Sequence, residues 1–214
     1  MARSIDAVLF DFGGVFTGSP FHAFTNVGKE IGARPGQIEA IMFGPYHEDT
    51  DHTWHRLERG EITLAAAREE IMAEGTRHGL VFDPLEILTR LADSRGGVRT
   101  PLVDRVRDLR REGYRTALVT NNVAEFRRAW HSMIPVDEIF DVVIDSSEVG
   151  VRKPDPAIYR LTLERLGNVP PERSVFLDDY ENNVKAATDL GIHGLLVDDD
   201  HIATIAALDR LLAA

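Results

Sequence analysis

Six residues of this 214-residue chain have side chains suited to attacking or binding an oxyanion, and four of the six are charged. They are Asp11, Thr120, Asn121, Lys153, Asp178 and Asp179. A carboxylate can act as a nucleophile, a lysine can neutralise charge beside it, and hydroxyl and amide groups can donate to oxygen atoms. Clustered carboxylates need a cation, and oxygen-only ligands suit Mg²⁺. Taken singly, each residue also fits a helix cap, a turn or an exposed position, but together they predict phosphate chemistry with magnesium.

Each of these residues lies at the end of a short apolar run or in the loop after it. The runs are typical of buried parallel strands: Ala7–Phe10, Thr116–Thr120, Asp141–Ile144, Ser174–Leu177 and Gly194–Val197. Helical patterns separate the last four runs, so we expect an α/β fold with three layers, a Rossmann-like parallel sheet covered by helices on both faces. Ligands of such sheets bind at the carboxyl ends of the strands, where the six residues should meet. Gly13 and Gly14 let the backbone turn beside Asp11 with bare N–H groups facing a ligand.

Residues 17–95 have a different character, because they are polar and charged and contain no strand-like run. They predict a small α-helical cap domain, called the insert below, between the two parts of a core domain formed by residues 1–16 and 96–214. The segment His47–His55 is dense in histidines and carboxylates but lacks a recognised metal-ligand spacing. We expect it to be a solvated segment.

Composition limits the partners and the compartment. With 43% hydrophobic residues the chain can bury one good-sized core, and its net charge of −11 argues against binding to nucleic acid or to an anionic membrane. No apolar run approaches the roughly 18 residues of a membrane span, and the first residues lack the apolar region of a signal peptide, so we expect a cytoplasmic protein. The absence of cysteine excludes disulfides, thiolate metal sites and thiol nucleophiles.

The residues around the candidate positions form four motifs. They are Val8-Leu9-Phe10-Asp11-Phe12-Gly13-Gly14-Val15, Leu118–Asn122, Ser147–Pro156 and Phe176–Val184. In order and wording they resemble the motifs of the haloacid dehalogenase (HAD) superfamily, in the subfamily with a helical cap inserted after the first motif. The third and fourth motifs are most similar to those of the phosphatase domain at the N-terminus of soluble epoxide hydrolases and of its stand-alone bacterial relatives.

The resemblance implies a Mg²⁺-dependent phosphatase that acts on a small phosphorylated metabolite. Asp11 would attack phosphorus and form an aspartyl-phosphate, and Lys153 would neutralise charge between the nucleophile and the phosphate. The phosphate would be bound by Thr120, Asn121 and the backbone N–H of Gly14. The magnesium ligands would be Asp11, the backbone carbonyl of Gly13 and Asp179, with Asp178 beside the metal. Asn183 would brace the loop that carries the last two carboxylates.

Gly13 departs from the phosphatase pattern, because most family phosphatases have there a second Asp that serves as general acid and base. Such proton transfer typically contributes about 10²–10⁴-fold to the rate. Two alternatives therefore stay open: a 2-haloacid dehalogenase, which needs neither the acid nor Mg²⁺, and a binding or regulatory protein with impaired turnover. The sequence does not fix the oligomeric state, nor which insert residue faces the site; the candidates are Phe21, His22, His47, Trp54, His55 and Arg56.

Overall fold

The five expected strands form one parallel sheet. A computed structural model describes residues 4–18, 30–94 and 96–213. The strands are β1 (Ala7–Phe10), β2 (Arg115–Thr120), β3 (Val142–Asp145), β4 (Ser174–Asp178) and β5 (His193–Leu196). They lie in the order β3-β2-β1-β4-β5, and every neighbouring pair is parallel, so all five carboxyl ends share one edge. No strand end lies more than one residue from its expected position.

Eleven α-helices occur in the described ranges, and seven of them belong to the expected core. The helices of the insert are α1 (Gln37–Phe43), α2 (Thr53–Glu58), α3 (Leu64–Arg77) and α4 (Pro84–Ser94). The others are α5 (Thr100–Arg111), α6 (Arg127–His131), α7 (Val136–Ile139), α8 (Ser146–Val149), α9 (Pro156–Arg165), α10 (Glu181–Asp189) and α11 (His201–Ala213). Two short 3₁₀ helices, Ala124–Phe126 and Pro171–Arg173, precede α6 and β4.

The central strands β1, β2 and β4 are buried on both faces. Successive side chains of a strand point to opposite sides, so each strand contributes to two apolar clusters. Val8 and Phe10 pack into one apolar cluster with α5 and α11, whereas Ala7 and Leu9 pack into another with α9 and α10. Two helical layers therefore cover one sheet, and the predicted three-layer α/β class is confirmed. Burial on both faces also explains why the strand sequences are continuously apolar rather than alternating.

The insert helices have an apolar cluster of their own, with Ile38, Met42, Leu57 and Ile71 completely or almost completely buried. Val123 of the loop after β2 joins this cluster, so the insert packs against the carboxyl edge of the sheet. The domain boundaries at residues 16/17 and 95/96 stay a prediction. Among the described residues no helix is long and apolar enough to cross a membrane.

The segment His47–His55 is only partly solvated, so the expectation for it was wrong in part. His47 and Glu48 are exposed, but the segment ends in α2, where Trp54 packs on Phe43 and His55 is fully buried. Burial follows from helix formation, because it turns Trp54 and Leu57 toward the insert's apolar cluster. The spacing of apolar residues over so short a helix did not predict the burial of Trp54 and His55.

Candidate active site

The carboxyl edge of the sheet brings Asp11, Lys153, Asp178 and Asp179 together. The Asp11 N–H donates to the Leu177 carbonyl oxygen at 2.8 Å, which extends the β1–β4 pairing to the carboxylate itself. One oxygen from each of Asp11, Asp178 and Asp179 lies within 4.8 Å of the other two. Among the described residues this is the one group of three or more acids or histidines that can surround a metal ion.

Lys153 lies between two of these carboxylates and is almost fully buried. Its Nζ is 2.7 Å from Asp11 Oδ1 and 2.7 Å from Asp178 Oδ2. Burial lowers the pKa of Lys153, but the carboxylates of Asp11 and Asp178 more than offset this, so the pKa is raised and the lysine is a cation at neutral pH. A fixed positive charge at this point suits an anionic ligand next to Asp11.

The surroundings of Asp11 destabilise the ionised form of its carboxyl group. Burial raises its pKa to about 8, Lys153 opposes this change, and the nearby charges of Asp178 and Asp179 add to it. Three carboxylates against one lysine leave an excess of negative charge in a buried position. A divalent cation would neutralise this excess and keep Asp11 ionised, and an all-oxygen donor set fits Mg²⁺. The residues present therefore fit the metal that the sequence predicts.

Asp178 and Asp179 differ in burial, and several hydrogen-bond donors surround Asp178. Asp178 is fully buried, and its two oxygens accept from Lys153 Nζ, from the Tyr180 N–H at 2.8 Å and from Asn183 Nδ2 at 3.2 and 3.1 Å. These three donor groups occupy most of the roughly four lone-pair positions of the Asp178 carboxylate. Asp179 is only half-buried. This difference favours Asp179 as the direct ligand and Asp178 as the residue that orients Lys153.

Asn183 braces the loop after β4, as the sequence suggested, and a residue that the sequence did not single out supports it. The Tyr159 hydroxyl, in α9, donates to the Asn183 carbonyl oxygen at 2.9 Å. Tyr159 itself packs edge-on against Phe176 of β4. The orientation of Asp178 therefore depends on a chain of contacts that runs from α9 through α10 to β4.

Gly14 makes the closest approach in the site. Its φ is +71°, a conformation that favours glycine, and a Cβ placed there would lie 2.1 Å from the Asp179 carboxylate. Gly13 is different, because its φ is not in the left-handed region and no atom lies within 4 Å of a Cβ built on it. The roles predicted for these glycines, a phosphate-binding N–H and a metal-binding carbonyl, stay predictions.

Thr120 ends β2, and Asn121 follows it and contacts the lysine loop. The Thr120 hydroxyl forms no hydrogen bond with the described part of the chain, which leaves it available to a ligand. The Asn121 amide is engaged on both sides with the Lys153 backbone: Oδ1 accepts from the Lys153 N–H at 2.8 Å, and Nδ2 donates to the Lys153 carbonyl oxygen at 2.9 Å. Asn121 therefore fixes the lysine's backbone, and its predicted contact with phosphate stays a prediction.

The insert residues near the site are mostly not those that the sequence suggested. Phe21 and His22 lie outside the described residues, Arg56 pairs with Glu70 at 3.4 Å, and His47 is exposed. Instead Tyr46 contacts the core, with its ring edge-on to that of Tyr180 at a centroid distance of 5.3 Å. No sequence pattern marks Tyr46, because it lies in a loop without periodicity.

Comparison with known proteins identifies the family of this chain. The sequence profile of haloacid dehalogenase-like hydrolases matches residues 5–191, and the chain belongs to this family of hydrolases. This chain is 32% identical to mouse acyl-CoA dehydrogenase family member 10, over 98% of the chain. It is 35% identical to mouse bifunctional epoxide hydrolase 2, over 73% of the chain. The chain spans only 19% and 30% of those two proteins. It is also 27% identical to a phosphorylated carbohydrates phosphatase of Thermotoga maritima, over 88% of the chain and 82% of that protein.

Solved structures show the same fold. A HAD-like hydrolase from Porphyromonas gingivalis superimposes with a TM-score of 0.71 at 26% identity, covering 99% of both chains. A HAD family enzyme from Bacteroides thetaiotaomicron, solved as a magnesium complex, gives a TM-score of 0.62 at 25% identity and covers 92% of this chain and 96% of its own. The family that the four motifs resemble is therefore confirmed.

Proposed function

We propose that this hydrolase is a Mg²⁺-dependent phosphatase that cleaves a small phosphate monoester through an aspartyl-phosphate on Asp11. The observation that carries the proposal is the position of Lys153 Nζ, 2.7 Å from both Asp11 and Asp178, with Asp179 in the same acidic cluster. Relatives named as phosphatases and a structural neighbour solved with magnesium support it. A cytoplasmic location is part of the proposal.

In the first step the Asp11 carboxylate attacks phosphorus, the bond from phosphorus to the leaving oxygen breaks, and that oxygen takes a proton from water. In the second step water attacks the phosphorus of the aspartyl-phosphate, which releases inorganic phosphate and restores the carboxylate. Lys153 holds the phosphate oxygens near Asp11 while Thr120 and the Gly14 N–H donate to them. Mg²⁺, held by Asp11, Asp179 and the Gly13 carbonyl, would neutralise the charge of the phosphate.

Two other functions predict different results in one set of assays. A dehalogenase would release chloride from 2-chloropropionate without Mg²⁺, and a regulatory protein would turn over neither substrate. We expect the purified chain to hydrolyse p-nitrophenyl phosphate and acetyl phosphate with Mg²⁺ and to lose this activity in EDTA. It should release no chloride from 2-chloropropionate. The control is Asp11→Asn, which keeps the shape but removes the nucleophile and should leave the melting temperature unchanged. Asp11→Asn turnover within tenfold of wild type would refute the aspartyl-phosphate.

A further inference from the structure

Arg152 connects the loop that carries Lys153 to the insert. Its side chain is fully buried, Nε donates to Glu58 Oε2 at 2.7 Å, and Nη1 donates to the Glu48 carbonyl oxygen at 3.3 Å. The guanidinium also lies 4.9 Å from the centroid of the Tyr46 ring. These partners all belong to residues 46–58. A buried cation of the core is thus held by the insert.

Glu58 links Arg152 to the other side of the site. It is almost fully buried, and its second oxygen accepts from the Tyr46 hydroxyl at 3.1 Å. The Tyr46 ring in turn contacts Tyr180, the residue after Asp179. The same group of insert side chains therefore contacts both the lysine loop and the loop of the acidic pair.

The insert also makes a close contact with α8, shortly before Arg152 in the chain. Gly60, with φ +69°, approaches the Ser147 carbonyl oxygen so closely that a Cβ on Gly60 would lie 2.3 Å from it. The close approach of these two backbones constrains how the insert packs on residues 146–153. The position of Arg152 is thus constrained from two directions.

We propose that Arg152 is a positioning residue: the Arg152–Glu58 pair transmits the seating of the insert to Lys153. Arg152 and Lys153 are adjacent in the chain, and both side chains are buried. The Arg152 side chain contacts the insert, and the Lys153 side chain contacts Asp11. Asn121 holds the Lys153 backbone from the core, so Arg152 supplies the second anchor of the same loop. The inference rests on the proposed function, because Lys153 is given its role there. A misplacement of about 1 Å can lower a rate about 10²-fold, so the anchor matters for turnover.

The test separates positioning from stability with two variants. Glu58→Gln leaves the Arg152 charge buried without its partner, which destabilises the fold. The double variant Glu58→Met/Arg152→Met replaces the pair by apolar side chains of similar size, which often restores stability. The control is Arg68→Met/Asp83→Asn, because this partly exposed insert pair is bidentate, at 2.8 and 2.6 Å, and forms no hydrogen bond or ion pair with residues 146–153 among the described residues.

Two readouts are measured beside the melting temperature. The first is kcat and KM for p-nitrophenyl phosphate with Mg²⁺. The second is reductive methylation of Lys153 followed by mass spectrometry, with the exposed Lys185 as an internal reference. We expect the Met/Met variant to melt near wild type, to lose at least tenfold in kcat and to methylate Lys153 at least tenfold faster relative to Lys185. The control should change neither kcat nor labelling, and Arg152→Lys, which keeps a charge near Glu58, should recover part of kcat.

A Met/Met variant with wild-type melting, wild-type kcat and a protected Lys153 would overturn the inference and leave the ion pair a purely structural contact. The labelling experiment does not depend on phosphate chemistry. If wild type hydrolyses no phosphate ester but Lys153 becomes reactive in the Met/Met variant, the positioning role holds and the proposed function fails.

Discussion

Replacing Gly14 by alanine should disable the site through Asp179, whereas the same change at Gly13 should not. The new Cβ at residue 14 would lie 2.1 Å from the Asp179 carboxylate, where ordinary contact begins at 3.4 Å, so the two must separate by 1.3 Å. The left-handed φ of +71° adds a cost of about 1–2 kcal/mol for a side chain there. Because Asp179 is the proposed metal ligand, a shift above 1 Å should lower turnover about 10²-fold and weaken Mg²⁺ binding.

Gly13→Ala is the matched control, since its Cβ meets no atom within 4 Å and its φ is outside the left-handed region. Calorimetric titration with Mg²⁺, turnover of p-nitrophenyl phosphate and thermal melting compare the two variants. We expect Gly13→Ala to bind Mg²⁺ like wild type and to melt at the same temperature or slightly higher. If Gly14→Ala kept Mg²⁺ affinity and turnover within threefold of Gly13→Ala, the argument that close packing on Asp179 builds the site would be wrong.

Three further predictions concern the acid, the metal and the pH. Gly13→Asp should raise turnover of alkyl phosphates relative to p-nitrophenyl phosphate, about 10²-fold or more, because only a basic leaving oxygen needs a proton; an unchanged ratio in a folded, Mg²⁺-binding variant would mean that another group already supplies it. Asp179→Ala should abolish Mg²⁺ binding in calorimetry and Asp178→Ala only weaken it, since the Asp178 oxygens are occupied by donors; equal effects would contradict the assignment. Burial, and next the charges of Arg152 and His52, lower the pKa of His55 from 6.5 to about 3. Neutral His55 therefore contributes stability that is fully present above pH 6.5 and is lost as the pH falls from 6.5 toward 3. The free energy of unfolding should fall by about 2 kcal/mol near pH 5, and urea unfolding of His55→Gln should not show this decrease. The same pH dependence in both proteins would assign the decrease to other groups.

The amino-acid sequence by itself determined the sheet and which carboxylates lie at its carboxyl edge. Both follow from local patterns, because short apolar runs that are bounded by turn residues and alternate with helical patterns predict the strands of a parallel sheet. Parallel pairing then places the residue after each run at a common edge, whatever the loops do. For that reason Asp11 and Asp178 could be assigned to one edge of the sheet before any distance was known, whereas Lys153 lies further along the chain after β3.

Only the tertiary structure shows how the surroundings of these groups differ. Asp178 and Asp179 are indistinguishable as neighbours in the sequence, and only the structure shows that Asp178 is fully buried among Lys153, Tyr180 and Asn183 whereas Asp179 is half-buried. Likewise Glu58 and Arg152 are 94 residues apart, and no periodic pattern relates an insert helix to a core loop. Such pairs depend on how one packed unit rests on another, and this is decided by shape and charge complementarity over many contacts rather than by any short run of residues.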